Sequence, residues 1–124
     1  NADAGVAAVF VDDRGVVDGD VFVIDDDCGG DARDDVASVV AGGGALPFLA
    51  VWSTRRADIS PTLIRGRSFD ADRTLSSTRE LAALHATGEP FATVARNAAG
   101  RAAIVVTAAG PRTGTDDVAL LTLE

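Results

Sequence analysis

The stretch that most constrains the fold is residues 21–38, which read VFVIDDDCGGDARDDVAS. Its first four residues are apolar and mostly β-branched, so they predict a buried strand. Three consecutive aspartates end that strand, and two glycines allow a tight turn after it. Asp31 can cap a helix, and Val36 and Val40 lie at helical spacing, so Ala32–Ala41 is predicted to be helical. Carboxylates held at such a junction suit a hard cation.

The whole chain, residues 1–124, has the length of a single domain. Its net charge is -8 and lysine is absent, so nucleic acid is not an expected partner. Cys28 is the only cysteine, which excludes an intrachain disulfide and a cysteine zinc cluster. No apolar run is long enough to span a membrane, and the first residues lack the basic and apolar segments that are typical of a signal peptide. We therefore expect a cytoplasmic protein without a membrane partner.

The remaining chain alternates short apolar runs with turn residues. Ser77 and Glu80 form a capping box that predicts a second helix over residues 77–87. The runs of residues 42–44, 53–56 and 65–67 are predicted to interrupt the regular elements. No internal repeat is evident. Strands are predicted over residues 5–11, 21–24, 46–52, 59–64, 91–95, 102–107 and 118–123. This grouping favours an α+β fold of two packed antiparallel sheets with few flanking helices.

Several residue groups have the composition of a functional site, and each has a structural alternative. His85 is the only histidine, so no histidine pair is available for a metal or a proton relay. The glycines at 42–44 lack the Lys-Ser/Thr pair of a phosphate loop. Aspartates 25–27 and 116–117 have the oxygen ligands that Mg²⁺, Mn²⁺ or Ca²⁺ prefers, or are solvated turn residues. Arginines that could clamp a phosphate, or be solvated loop charges, are Arg55, Arg56, Arg65, Arg67 and Arg73.

Residues 21–38 resemble a segment of the PPM (type 2C) metal-dependent protein phosphatases, which typically reads LFVVADGMGGHAAGDVAS. The opening residues 1–4 resemble the Asn-Glu-Asp-Ala of that family, and residues 115–119 resemble its Arg-Asp-Asn-Ile-Thr. Residues 51–57 match the place of His-Val-Gly-Asp-Ser-Arg-Ala, and residues 106–110 that of Leu-Cys-Ser-Asp-Gly. Residues 73–88 are similar to a further family segment. In this family, paired metal ions activate a water that attacks a phosphoserine or phosphothreonine ester.

The resemblance implies an incomplete metal site. Asp26 matches the aspartate that bridges the metals, and Asp116 matches the late aspartate. Ala2 replaces the early glutamate and Ala109 the aspartate of Ser-Asp-Gly, while Asp27 replaces a glycine whose carbonyl helps bind metal. Because several ligands are lost, the remaining carboxylates are not expected to assemble a bimetal centre. Asp26, Asp27 and Asp116 are therefore candidates for a vestigial, low-affinity site.

The resulting expectation is a compact pseudophosphatase domain, in which no residue is catalytic and no cofactor is expected. Its function would be to bind or regulate a protein partner in serine/threonine phosphorylation signalling, such as a phosphoprotein or a kinase-pathway component. One alternative is a divergent phosphatase that holds Mg²⁺ or Mn²⁺ on a rearranged site. A second alternative is an unrelated small α+β binding domain.

Overall fold

The computed structural model describes residues 5–25, 32–56, 59–84, 91–99, 101–109 and 116–123. Within these ranges every regular element is a β-strand and every pairing is antiparallel. In the same ranges there is no helix that could cross a membrane. The described residues form nine strands: β1 (Val6–Val11), β2 (Val17–Asp25), β3 (Ala32–Ala41), β4 (Phe48–Arg56), β5 (Ile59–Phe69), β6 (Arg79–Leu84), β7 (Phe91–Arg96), β8 (Ala102–Ala109) and β9 (Asp116–Leu123).

The strands form three sheets that follow one another in chain order. Strands β1 and β2 make a two-stranded N-terminal ribbon, β3 to β6 a four-stranded central sheet, and β7 to β9 a three-stranded C-terminal sheet. In each sheet, strands adjacent in sequence are adjacent in space. The central sheet is covered by the ribbon on one face and by the C-terminal sheet on the other. Among the described residues, the central sheet therefore has an apolar layer on each of its two faces.

Strand β4 contributes to both layers because successive side chains of a strand point to opposite faces. Leu49 and Val51 pack with Ile104 of the C-terminal sheet. Ala50 and Trp52 pack on the opposite face with Ile24 of the ribbon. The uninterrupted apolar run at the start of β4 is thus explained by burial on both faces.

The predicted helix over Ala32–Ala41 is wrong, because this segment is strand β3. It pairs with β4 along its length, from Ala32 opposite Arg56 to Ala41 opposite Phe48. Short runs of valine and alanine satisfy helical and extended periodicities about equally. The neighbouring strand β4 decided between them, since its edge needed a hydrogen-bonding partner. The glycines after Ala41 consequently end a strand and not a helix.

The second predicted helix, over residues 77–87, is also wrong where the structure describes it. Residues 79–84 form β6, which pairs with β5, and residues 85–87, with His85, lie outside the described ranges. The predicted breaks at 53–56 and 65–67 are wrong as well, because both segments continue their strands. The antiparallel sheets were predicted correctly. They number three and not two, however, and the described residues are all-β and not α+β.

Three hairpins share one turn geometry. The backbone N–H of Asp12 donates to Val16 O at 2.9 Å, and Asp70 donates in the same way to Thr74 O at 3.2 Å. Asn97 does so to the oxygen of Arg101 at 2.9 Å. In all three turns the side-chain Oδ1 of the first residue accepts two backbone N–H groups, from the residues two and four positions later. A repeated backbone hairpin is therefore present, although the sequence showed no repeat.

Candidate functional site

The predicted metal ligands are only partly placed by the structure. Asp26 and Asp27 lie outside the described residues. Asp116 is the first residue of β9, and its backbone lies opposite Ala109 of β8. Among the described residues, no three acidic, histidine or cysteine side chains come together as a metal site would need. The Mg²⁺ or Mn²⁺ site stays a prediction.

Asp25, the first aspartate of the acidic run, is buried against the central sheet. It is 2% exposed, and its Oδ2 atom accepts a hydrogen bond from the indole Nε1 of Trp52 at 2.9 Å. Nη1 of Arg65 lies 3.9 Å from the same oxygen. A buried charge is stable only with such partners. This carboxylate thus attaches the end of β2 to the central sheet.

Two more of the arginines that could have clamped a phosphate also contact the ribbon. Arg67 donates from Nη1 to the backbone oxygen of Ile24 at 2.7 Å, and from Nε to Ser76 O at 2.6 Å. The guanidinium of Arg73 lies 5.6 Å from the ring centroid of Phe22, in cation–π geometry. Together with Arg65, these side chains hold the ribbon on the central sheet. They are not solvated loop charges.

An open apolar cleft lies between the ribbon and the central sheet, and its volume is about 350 Å³. Its aromatic lining is a phenylalanine cluster formed by Phe10, Phe22, Phe48 and Phe69. Phe10 stacks on Phe22 at 5.5 Å, and Phe48 stacks on Phe69 at 5.3 Å. Edge-to-face contacts join the two pairs. Such mutual packing fixes the rings, so the cleft has a preformed apolar wall.

Strand β3, at the edge of the central sheet, also lines the cleft. Its lining residues are Ser38 and Val39, and Val39 is 61% exposed although it is an apolar residue in a sheet. Strand β1 completes the lining with residues from Val6 to Val11. The edge of β1 that faces away from β2 pairs with no other strand in the part of the chain that the structure describes. The cleft therefore combines apolar side chains with an open backbone edge.

The sequence interpretation missed this cleft. Four of the five phenylalanines line it, but they come from four strands whose pairing a single sequence does not reveal. Along β1 the half-buried residues Val6, Ala8 and Phe10 alternate with exposed ones, but all six residues of the strand are apolar, so the sequence itself carried no such signal.

The comparisons with known proteins add no identity. No family model matches the chain, and neither the curated proteins nor the solved structures contain a match. The resemblance to the type 2C phosphatases has no support from them and no contradiction, so it stays a prediction.

Proposed function

We propose that this chain is a protein-binding module whose docking site is the cleft between the N-terminal ribbon and the central sheet. The observation that carries this proposal is the exposure of Val39 beside a preformed aromatic wall. Exposed apolar surface next to a concave site is typical of surfaces that bind another molecule. Rigid aromatic side chains are also the groups that contribute most to protein interfaces.

The cleft and the charge of the chain together describe the expected ligand. Apolar side chains fit against Phe10, Phe48 and Val39, which line the cleft. The net charge of -8 attracts a partner segment that also carries basic residues, and speeds its encounter with the cleft. We therefore propose a protein ligand with apolar anchors and positive charge.

The type 2C resemblance is compatible with this role and remains part of the proposal. Residues 21–38 support an inherited phosphatase motif, and Ala2 and Ala109 support the loss of its metal ligands. On that basis the module would act as a pseudophosphatase that binds a component of serine/threonine phosphorylation signalling. The pairing of Ala32–Ala41 with β4 along its length departs from the helix that the residue spacing predicted.

Selection from a displayed random peptide library tests the proposal. The test variant is Val39→Asp, which places a charge in the cleft at a position too exposed to be needed for folding. The matched control is Val105→Asp, because Val105 is also exposed, at 40%, but lies on the C-terminal sheet away from the cleft. We expect enriched peptides whose affinity falls about tenfold or more in Val39→Asp and is unchanged in Val105→Asp. Failure to enrich any peptide, or equal binding to both variants, would overturn the proposal.

A further inference from the structure

The ribbon corresponds to the second half of the central sheet at its turn and at the first residue pair beyond it. The hairpin of β1 and β2 turns at Asp12, and the hairpin that follows β5 turns at Asp70, with the same hydrogen bonds. In the ribbon, the first residue pair beyond the turn is Val11 with Val17. In the central sheet, the equivalent pair is Phe69 with Leu75. Strand β1 is thus the structural equivalent of β5.

The equivalence extends to the faces of the sheets. Counting back from the two turns, Val6 corresponds to Ile64. Val6 packs on the central sheet, which follows the ribbon in the chain. Ile64 packs on the C-terminal sheet, which follows the central sheet. Antiparallel sheets of up to four strands that pack face to face in chain order are arranged as the blades of a β-propeller are.

The first halves of two sheets correspond in the same way. Strands β7 and β8 meet at the pair Arg96 with Ala102, and β3 and β4 meet at Ala41 with Phe48. Val94 and Val39 each lie two residues before the end of the first strand, but Val94 is 8% exposed and Val39 is 61% exposed. The difference in exposure follows from the sheet that precedes each valine in the chain. Val94 is covered because β3 and β4 of the central sheet contact β7. The described ribbon, which precedes Val39, has only the equivalents of β5 and β6 and so lacks the strands that would cover it.

The open edge of β1 is the place where the missing neighbour would pair. Its equivalent β5 is paired on that side with β4, from Phe48 opposite Phe69 to Arg56 opposite Ile59. In β1, the N–H of Asp12 points to β2, so the N–H of Val11 points to the open edge. A strand placed there would cover Val39 as β3 and β4 cover Val94.

We infer that the cleft receives an extended strand of a partner polypeptide, which pairs antiparallel with β1. The inference rests on the proposed function and adds the mode of binding, which is the addition of a strand to a sheet edge. The partner segment would resemble β4, whose first five residues are apolar on both faces and which ends in two arginines. Backbone hydrogen bonds to β1 would supply affinity, and alternate side chains over Val39 and Phe10 would supply specificity.

A peptide that copies residues 46–56, LPFLAVWSTRR, tests the inference with the whole chain as its target. The control peptide carries Val51→Pro, since proline cannot donate a ladder hydrogen bond and disfavours the central strand position. We expect the parent peptide to bind at least about tenfold more tightly than the proline peptide. Amide exchange at Val11, followed by NMR, is expected to slow about tenfold or more in the complex. Val39→Asp should weaken binding and Val105→Asp should not.

The outcomes separate this inference from the proposed function. Library peptides that bind through Val39 without slowing exchange at Val11 would leave the proposed function standing and overturn strand addition. Failure of the parent peptide to bind, or equal binding of the proline peptide, would also overturn strand addition. Light scattering provides one further arm. A dimer that is lost in Val39→Asp would show that a second copy covers the cleft, and would overturn the assignment to a partner strand.

Discussion

Trp52 and Asp25 are joined by a hydrogen bond of 2.9 Å from the indole Nε1 to the carboxylate, although they lie 27 residues apart in the chain. Both residues are buried, and the contact connects an inner strand of the central sheet to the end of the ribbon. The residue that began the predicted cation site is therefore part of the interface that positions the cleft.

We expect Trp52→Phe to destabilise the protein by about 1–3 kcal/mol, because the substitution leaves the buried carboxylate without its indole donor. The loss of ring volume in a buried site adds to that cost. Urea unfolding measures the effect. Asp25→Asn is the matched variant, since it keeps an oxygen that accepts from Trp52 while it removes the charge beside Arg65. An unchanged unfolding midpoint in Trp52→Phe would contradict the structural role of this contact.

Gly42 is expected to be intolerant of a side chain because of Arg96. A Cβ atom at position 42 would lie 2.6 Å from Cδ and 2.9 Å from Cγ of Arg96. That arginine donates from Nη1 to the backbone oxygens of Leu46 and Pro47, at 3.1 and 2.9 Å. Gly42→Ala should therefore displace the guanidinium and cost about 1–3 kcal/mol of unfolding free energy.

A double-mutant cycle checks this explanation of the Gly42 effect. In an Arg96→Ala background the obstructing side chain is gone, so Gly42→Ala should cost much less than it does alone. Additive effects of the two substitutions would show that Gly42 acts through something other than Arg96.

The turn at Asp12 predicts a pH dependence. Hydrogen bonds from the backbone N–H groups of Val16 and Arg14 lower the pKa of Asp12 below its ordinary value of 3.8, with a smaller contribution from the Arg14 side chain. Because the folded-state pKa is lowered, the resulting stabilisation is present above 3.8 and is lost as pH falls through the folded pKa. NMR titration of the Asp12 carboxyl should show the lowered pKa directly.

Asp12→Asn is the control for that titration. In the third hairpin, the amide oxygen of Asn97 accepts backbone N–H groups from the residues two and four positions later, as Asp12 does in the first. Asparagine therefore fits the turn, and its side chain has no carboxyl group to titrate. Between about pH 5 and pH 2, stability of Asp12→Asn should fall less steeply than that of the unaltered protein. Parallel curves would exclude a contribution from this carboxyl.

The pseudophosphatase proposal predicts no manganese-dependent hydrolysis of p-nitrophenyl phosphate or of a phosphothreonine peptide. Ala2 and Ala109 have no side-chain oxygen with which to complete a bimetal site. Calorimetric titration with Mn²⁺ should likewise show no tight binding. Clear manganese-dependent turnover that Asp26→Ala abolishes would favour the divergent phosphatase instead.

Local chemistry was enough to predict several strands and turns. The strands at 5–11, 91–95 and 102–107 were close to correct because apolar residues there are bounded by turn residues. The two predicted helices failed for a shared reason. Their short amphipathic patterns fit a strand as well as a helix, and partners distant in sequence selected the strand.

The cleft could not be predicted from the sequence for the same reason, because its residues are brought together by contacts between distant parts of the chain. Whether Phe10 meets Phe48 depends on how the ribbon packs on the central sheet, which no short segment encodes. Arg65 and Arg67 could have clamped a phosphate or been solvated charges according to the sequence. They contact the ribbon instead, because their register on β5 brings them to it.

By itself, the sequence determined the acidic charge, the single cysteine, the turn at Asn97 and the apolar run of β1, since these depend on residue type and near neighbours. Only the tertiary structure decided that Ala32–Ala41 is a strand, that Asp25 is buried against Trp52, and that Val39 remains exposed beside an open edge. The physical reason is that strand pairing and sheet packing connect residues that are far apart in the chain. Their stabilisation outweighs the weak local preferences that a sequence displays.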